Sequence, residues 1–95
     1  MGRIETTELA DDDLVKAALF IARDNVGAAE QFVDDVAQQY SLLAESSGLG
    51  RAREELGRGL RSWPFKGYLI FYRQLSGGIL IVRFLNGTRD VQSLF

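Results

Sequence analysis

The 95-residue sequence predicts an α+β fold, with a helical hairpin packed on a small antiparallel sheet in the order β-α-α-β-β-β. Three observations predict it. Residues 8–45 carry apolar side chains at helical spacing, in two runs separated by Asn25-Val26-Gly27. Residues 60–95 carry short β-branched and aromatic runs punctuated by Lys66-Gly67 and Ser76-Gly77-Gly78. Helices and strands fall in separate blocks, which argues for helices on one side of a sheet.

Each element has its own signal. A short first strand is predicted over Gly2–Thr7, where Arg3 and Glu5 alternate with Ile4 and Thr6. Thr7 is an N-cap, and Glu8, Asp11, Asp12 and Asp13 suit the positive end of a helix dipole. Leu14, Ala18, Ile21 and Ala22 then share one helical face. Asn25-Val26-Gly27 breaks that helix. A second helix places Ala29, Phe32, Val33, Val36, Tyr40 and Leu43 on one stripe. The linker is short, so the two helices form an antiparallel hairpin. Residues 46–59 hold four glycines and two serines and read as a loop, with one helical turn over Arg51–Leu56.

The sheet follows. Pro64 puts the strand 60–65 at an edge or ends it. Lys66-Gly67 turns the chain into Tyr68–Leu75, and Ser76-Gly77-Gly78 is a hairpin signal leading to Ile79–Leu85. These last two strands are apolar at alternate and intervening positions, the pattern of strands covered on both faces. The helical hairpin covers one face. The other needs a partner or the 46–59 loop; left bare, it is an exposed apolar patch.

The totals bound the chemistry. The chain is one domain, 1–95, with a modest core that a tight partner would stabilise. It has no cysteine and no histidine, which excludes a disulfide, a thiolate or zinc site, a haem site and a Ser-His-Asp triad. No cofactor is implied. No signal peptide or long apolar run is present, so a soluble, cytoplasmic chain without membrane contact is expected. The formal charge of −2 hides an asymmetry. Residues 1–47 hold three cations against ten carboxylates, a net −7; residues 48–95 hold eight cations against three, a net +5. The basic half reads either as an ordinary solvated surface or as the meeting place for an acidic partner segment or nucleic acid.

Four segments carry a resemblance. They are Gly48-Leu49-Gly50-Arg51, Leu60-Arg61-Ser62-Trp63-Pro64, Tyr68-Leu69-Ile70-Phe71-Tyr72-Arg73, and Arg83-Phe84-Leu85-Asn86-Gly87-Thr88-Arg89-Asp90. In this succession the chain resembles the RelE/ParE superfamily of bacterial toxins, most closely its ParE branch. The resemblance implies the toxin of a type II toxin–antitoxin system, which inhibits DNA gyrase by direct contact and catalyses nothing. It also implies a ParD-type antitoxin, in a hetero-oligomer, whose acidic segment folds along the second sheet face and the helical hairpin. Relatives often carry histidine where this chain has Asn86, which bonds but does not titrate.

RelE-type relatives cut messenger RNA on the ribosome with lysines on the leading strand, an arginine after the next strand's tyrosine, and a C-terminal arginine and tyrosine. Aligned on Gly67-Tyr68 and Gly87-x-Arg89, those positions are Leu60 and Ser62, Leu69, Arg89 and Phe95. Most of that catalytic charge is missing. The candidate contact residues are Arg61, Trp63, Tyr72, Arg73, Arg83, Asn86, Arg89, Asp90, Leu94 and Phe95. Arginine suits bidentate contact with carboxylate or phosphate, aromatics suit anchoring, and Leu94-Phe95 suits either insertion into a partner or docking on its own chain. Ion pairing of the arginines and core packing of the aromatics are the competing roles. Three alternatives stay open: a RelE-type nuclease, a non-toxic binding member of the superfamily, and a single-strand nucleic-acid binder using its tyrosines. No sequence-specific nucleic-acid binding is expected.

Overall fold

The structure, a computed structural model, describes residues 2–88 and 91–95. Its elements are β1 (Arg3–Thr6), α1 (Glu8–Ala22), α2 (Val26–Glu45), β2 (Arg51–Ala52), β3 (Leu60–Phe65), β4 (Tyr68–Leu75), β5 (Gly78–Asn86) and a 3₁₀ turn (Val91–Leu94). The helical hairpin packs on one face of a five-stranded sheet ordered β1-β5-β4-β3-β2. The α+β architecture is as the sequence predicts, but the sheet is mixed. β1 runs parallel to β5, because the two helices carry the chain back across the sheet before β3 begins. β2, a strand where a helical turn is expected, pairs Arg51 and Ala52 with Ser62 and Arg61. The turn comes just after it, closed by the Leu56 N–H on the Arg53 carbonyl at 3.0 Å. Exposed backbone along β3 gives the loop a ladder partner that an isolated helical turn lacks.

The helix boundaries follow from side-chain caps. Thr7 accepts from the Ala10 N–H at 3.0 Å while its hydroxyl donates to the Val82 carbonyl at 2.8 Å, so one residue starts α1 and ties it to β5. Asn25 accepts from the Ala28 N–H at 2.9 Å and caps α2. The break therefore precedes Asn25, and Val26 and Gly27 lie inside the first turn of α2. On α2 the buried residues are Ala29, Phe32, Val36, Tyr40, Leu43 and Ala44. On α1 the fully buried residues are Ala10 and Ala17, with Leu14 and Ile21 half-buried beside them. Small residues there let α1 approach the sheet closely.

The turns are explained by backbone angles. Lys66 and Gly67 both have positive φ, 49° and 82°, the combination that matches a two-residue hairpin to strand twist. At Gly78 a Cβ would collide with the Arg3 carbonyl, so β1 reaches β5 only because that position is glycine. Pro64 lies past β2, which covers only Arg61 and Ser62, so its missing N–H faces an open edge.

The main core joins Phe32, Val36, Tyr40 and Leu43 to Ile70, Tyr72, Ile79, Ile81 and Phe84. The rings of Tyr68 and Phe84 stack at 4.8 Å, and Phe32 lies 5.5 Å from Tyr68 and 6.0 Å from Phe84. Each fully buried side chain of this size contributes about 1.5–3 kcal/mol by leaving water. Among the described residues, no helix is long and apolar enough to cross a membrane.

Candidate functional site

The second face of the sheet is where composition and charge converge. Leu60, Phe71 and Leu85 form its buried centre. Leu56, Leu69, Val82, Val91 and Leu94 pack around them, and the Phe95 ring lies 5.0 Å from that of Phe71. Of the two covers expected for this face, a partner or the 46–59 loop, the loop supplies part, and the C-terminal turn adds to it. The chain covers this face itself, with Leu56 from the loop and with the C-terminal turn. Val91 and Leu94 are three apart, so a 3₁₀ turn puts both on one side. Leu94 and Phe95 are docked rather than free, although Phe95 remains 40% exposed.

Strand register then sorts the arginines. Arg51 pairs with Ser62, Arg53 donates its N–H to the Leu60 carbonyl, and Arg73 pairs with Leu60. Paired residues share a face, so Arg51, Arg53 and Arg73 surround the Leu60–Phe71 centre on the second face. Arg53 donates to Glu55 at 2.8 Å and to the Ser62 hydroxyl at 3.2 Å, and its guanidinium lies 5.9 Å from the Phe71 ring centroid. The hydrogen bond from Arg53 holds the Glu55 carboxyl below its ordinary range. Arg73 donates to the Arg58 carbonyl at 3.1 Å and anchors the end of the loop. Arg51 and Arg58 are exposed and have no ion pair among the described residues. Of the expected contact residues, Arg73, Leu94 and Phe95 meet here.

Arg51 and Arg53 are the site arginines that sequence reasoning missed. Their signal is the Arg51-x-Arg53 spacing, a strand period of two hidden within a glycine-rich loop. An open cleft of about 430 Å³ adjoins this face at the β3–β4 turn, lined by Pro64, Phe65, Lys66, Gly67, Tyr68, Leu69, Gly87 and Thr88.

The other expected contact residues do different work. Arg61 points to the helical side and donates to the carbonyls of Gly48 at 3.3 Å and Gly50 at 2.6 Å. Tyr72 is fully buried, accepting from the Gly50 N–H at 2.7 Å and donating to the Ser47 carbonyl at 2.8 Å. Together they pin the start of the loop. Burial pushes the Tyr72 hydroxyl up against the lowering effect of the Gly50 bond, and burial with nearby Asp11 and Asp13 pushes up Tyr40. Trp63 donates to Gln39 on α2 at 2.9 Å.

Arg83 is held by Asp13 of α1 through two bonds, Nε–Oδ2 at 2.8 Å and Nη2–Oδ1 at 2.9 Å. A bulge lets consecutive Arg83 and Phe84 both serve the helical layer. The Asn86 side chain accepts from the Thr88 N–H and hydroxyl and closes a local turn. Arg89 and Asp90 lie outside the described residues.

The arrangement offers fixed guanidinium groups beside apolar and aromatic surface, suited to binding carboxylate or phosphate oxygens. The positions that the resemblance to nuclease relatives assigns to cations (Leu60, Ser62, Leu69) and to a tyrosine (Phe95) hold packing instead. Leu60 is at the apolar centre, Ser62 accepts from Arg53, Leu69 is half-buried, and Phe95 lies on Phe71.

Comparison with known proteins agrees with this fold. The family model for the ParE toxin of type II toxin–antitoxin system, parDE, matches residues 4–91. Toxin ParE3 of Caulobacter vibrioides is 27% identical over 92 residues, which cover 96% of this chain and 92% of its own. A solved structure described as the chromosomal ParDE TA system from P. aeruginosa shares the fold. Its TM-score is 0.73 at 20% identity, over 90% of this chain and 96% of that one. With the family model matching nearly the whole length, the chain belongs to the ParE toxin family of type II toxin–antitoxin systems.

Proposed function

We propose that this toxin inhibits DNA gyrase by direct binding in the cytoplasm, without catalysis of its own, and is neutralised by a ParD-type antitoxin. The observation that carries this reading is the second sheet face, where Arg51, Arg53 and Arg73 surround an apolar centre. Such a face suits an acidic protein segment, which gains charge-assisted bonds and apolar contact together. Antitoxin and target are proposed to compete for it. The sequence contains no histidine or cysteine to act as a base or nucleophile near neutral pH, which supports action by contact.

The test is a supercoiling and cleavage assay with purified gyrase, ATP and plasmid. The expected result is linear, gyrase-linked DNA that disappears on adding antitoxin and is reduced in an Arg51→Glu/Arg73→Glu variant. Toxicity in cells with no effect on gyrase would refute the target and direct the search to topoisomerase IV or the ribosome. Cleavage of ribosome-bound messenger RNA would refute the non-catalytic reading. No toxicity in cells lacking antitoxin would identify a binding member of the family.

A further inference from the structure

We propose that the outward arginines of the second sheet face bind the phosphodiester backbone of duplex DNA, so that this chain contacts DNA as well as protein. The inference rests on the face used in the reading above but not on gyrase as the target. Arg51 and Arg53 are two residues apart along one edge, about 6.7 Å at the rise of a strand. Arg73 lies two strands across from Arg53, with Leu60 between them, a span of about 10 Å. Arg58 adjoins Arg73, whose Nε donates to its carbonyl at 3.1 Å. Gly57 leaves room for that guanidinium, since a Cβ there would meet the Arg73 Nη2 at 3.0 Å. The nearby carboxylates are engaged. Glu55 pairs with Arg53 at 2.8 Å, and Glu54 accepts from the Gly59 N–H at 2.7 Å. At the far edge of the sheet Arg3 and Glu5 pair with each other at 2.7 Å. Arg51, Arg58 and Arg73 have no carboxylate partner among the described residues, and Arg51 and Arg58 are exposed.

Spacing selects phosphate as the ligand. A duplex carries one charge per about 3.4 Å of axis on each strand, so about 10 Å of patch faces roughly three phosphates at once, one for each free guanidinium. An extended acidic segment presents same-side carboxylates about 6.7 Å apart and reaches at most two over that span. The planar guanidinium fork fits phosphate oxygens in pairs. The bases are left unread. Tyr40 and Tyr72 are buried, and Tyr68 is stacked on Phe84 at 4.8 Å in the helical layer. None of the three tyrosines therefore offers a stacking platform on this face. Charge sets the orientation. Residues 1–47, which form β1 and both helices, carry a net −7 and turn that side away from DNA.

The test is fluorescence anisotropy of a labelled duplex of about 20 base pairs with the isolated chain, in the absence of gyrase. The expected dissociation constant is on the order of 10–100 µM at low salt. The logarithm of the affinity is expected to fall against that of salt with a slope of about −2.7, which is about 0.9 for each of three phosphates. Arg51→Ala and Arg58→Ala alter exposed side chains outside the core, so each should keep its urea midpoint. Each should also lower the slope by about 0.9 and weaken binding about fivefold or more. Lys16→Ala, on α1, should bind as the native chain does. AT-rich and GC-rich duplexes should bind within about twofold of each other. That pattern supports the inference even if gyrase is unaffected. No binding up to about 300 µM, or binding that both arginine variants leave unchanged, overturns it even if gyrase is poisoned. Tighter binding to single-stranded DNA of the same length overturns the duplex assignment. A native chain that binds no duplex but loses its antitoxin on Arg51→Ala/Arg58→Ala overturns the inference too, and assigns the face to acidic protein alone.

Discussion

Removing the Asp13 carboxylate is expected to destabilise the fold more than any other single polar change. Its Oδ2 receives both the Arg83 Nε at 2.8 Å and the Phe84 backbone N–H at 3.0 Å. β1 ends at Thr6, opposite Ile81, so beyond that point Asp13 closes the open edge of β5. The pair is largely out of water, with 16% of the Arg83 side chain and 9% of the Asp13 side chain exposed. Asp13→Ala strands a mostly buried guanidinium and orphans one edge N–H. Breaking a fully buried pair costs about 3–5 kcal/mol, and partial exposure of Arg83 reduces this to about 2–4 kcal/mol. That is a large part of the roughly 5–15 kcal/mol expected of a domain. Urea unfolding followed by fluorescence of Trp63, the single tryptophan, measures it. Adding Arg83→Leu to Asp13→Ala should recover part of the loss, giving a coupling of about 1–3 kcal/mol. A cost below about 0.5 kcal/mol for Asp13→Ala, or additive effects, would refute a closed internal pair and free Arg83 for a partner.

Three further outcomes follow from the same geometry. Tyr72→Phe keeps the ring but orphans the buried Gly50 N–H, so it should cost about 1–3 kcal/mol and speed proteolysis near residues 47–50; unchanged nicking would refute the pinning role. Tyr40 and Tyr72 are both raised above the ordinary tyrosine value of 10.0 in the folded state, so their contribution is intact below pH 10 and is lost as pH rises above it. Urea midpoints should therefore fall from pH 10 upward, less steeply in Tyr40→Phe, and identical slopes for the two proteins would contradict this. Deleting Leu94 and Phe95 uncovers Phe71 and should cost about 1–2 kcal/mol while increasing binding of a hydrophobic dye. Unchanged dye binding would mean that the tail does not cover the face in solution.

Much of this architecture is legible in sequence because it rests on local signals. Thr7 declares a helix start, the spacing of Phe32, Val36, Tyr40 and Leu43 declares a buried stripe, and Lys66-Gly67 declares a turn, whereas Asn25 read as a helix break is in fact the cap of α2. What was not legible depends on long-range pairing. The parallel placement of β1 is set by contact with Gly78, more than seventy residues away, and no local pattern encodes it. β2 is two residues long and exists only because β3 offers a free edge. The cover of the second face by Leu56, Val91 and Leu94 was legible only as one of two alternatives, because these residues read locally as loop and tail.

The arginines make the same point for the site. The net charge of +5 in residues 48–95 suggests a uniformly basic half, yet five of its eight cations divide by strand parity into two populations. Arg61 and Arg83 turn toward the helical layer, where backbone carbonyls and Asp13 hold them. Arg51, Arg53 and Arg73 turn outward together, and among the described residues only Arg53 of the three has an ion pair, with Glu55. On β5, Arg83 follows Ile79 and Ile81 onto the helical side by alternation, and the bulge opposite Phe71 and Tyr72 brings Phe84 to the same layer. Charge available to a partner is therefore set by register rather than by composition. A one-residue slip in β2 would turn Arg51 toward the helical layer, and one in β5 would turn Arg83 away from Asp13, while the sequence's net charge stayed untouched.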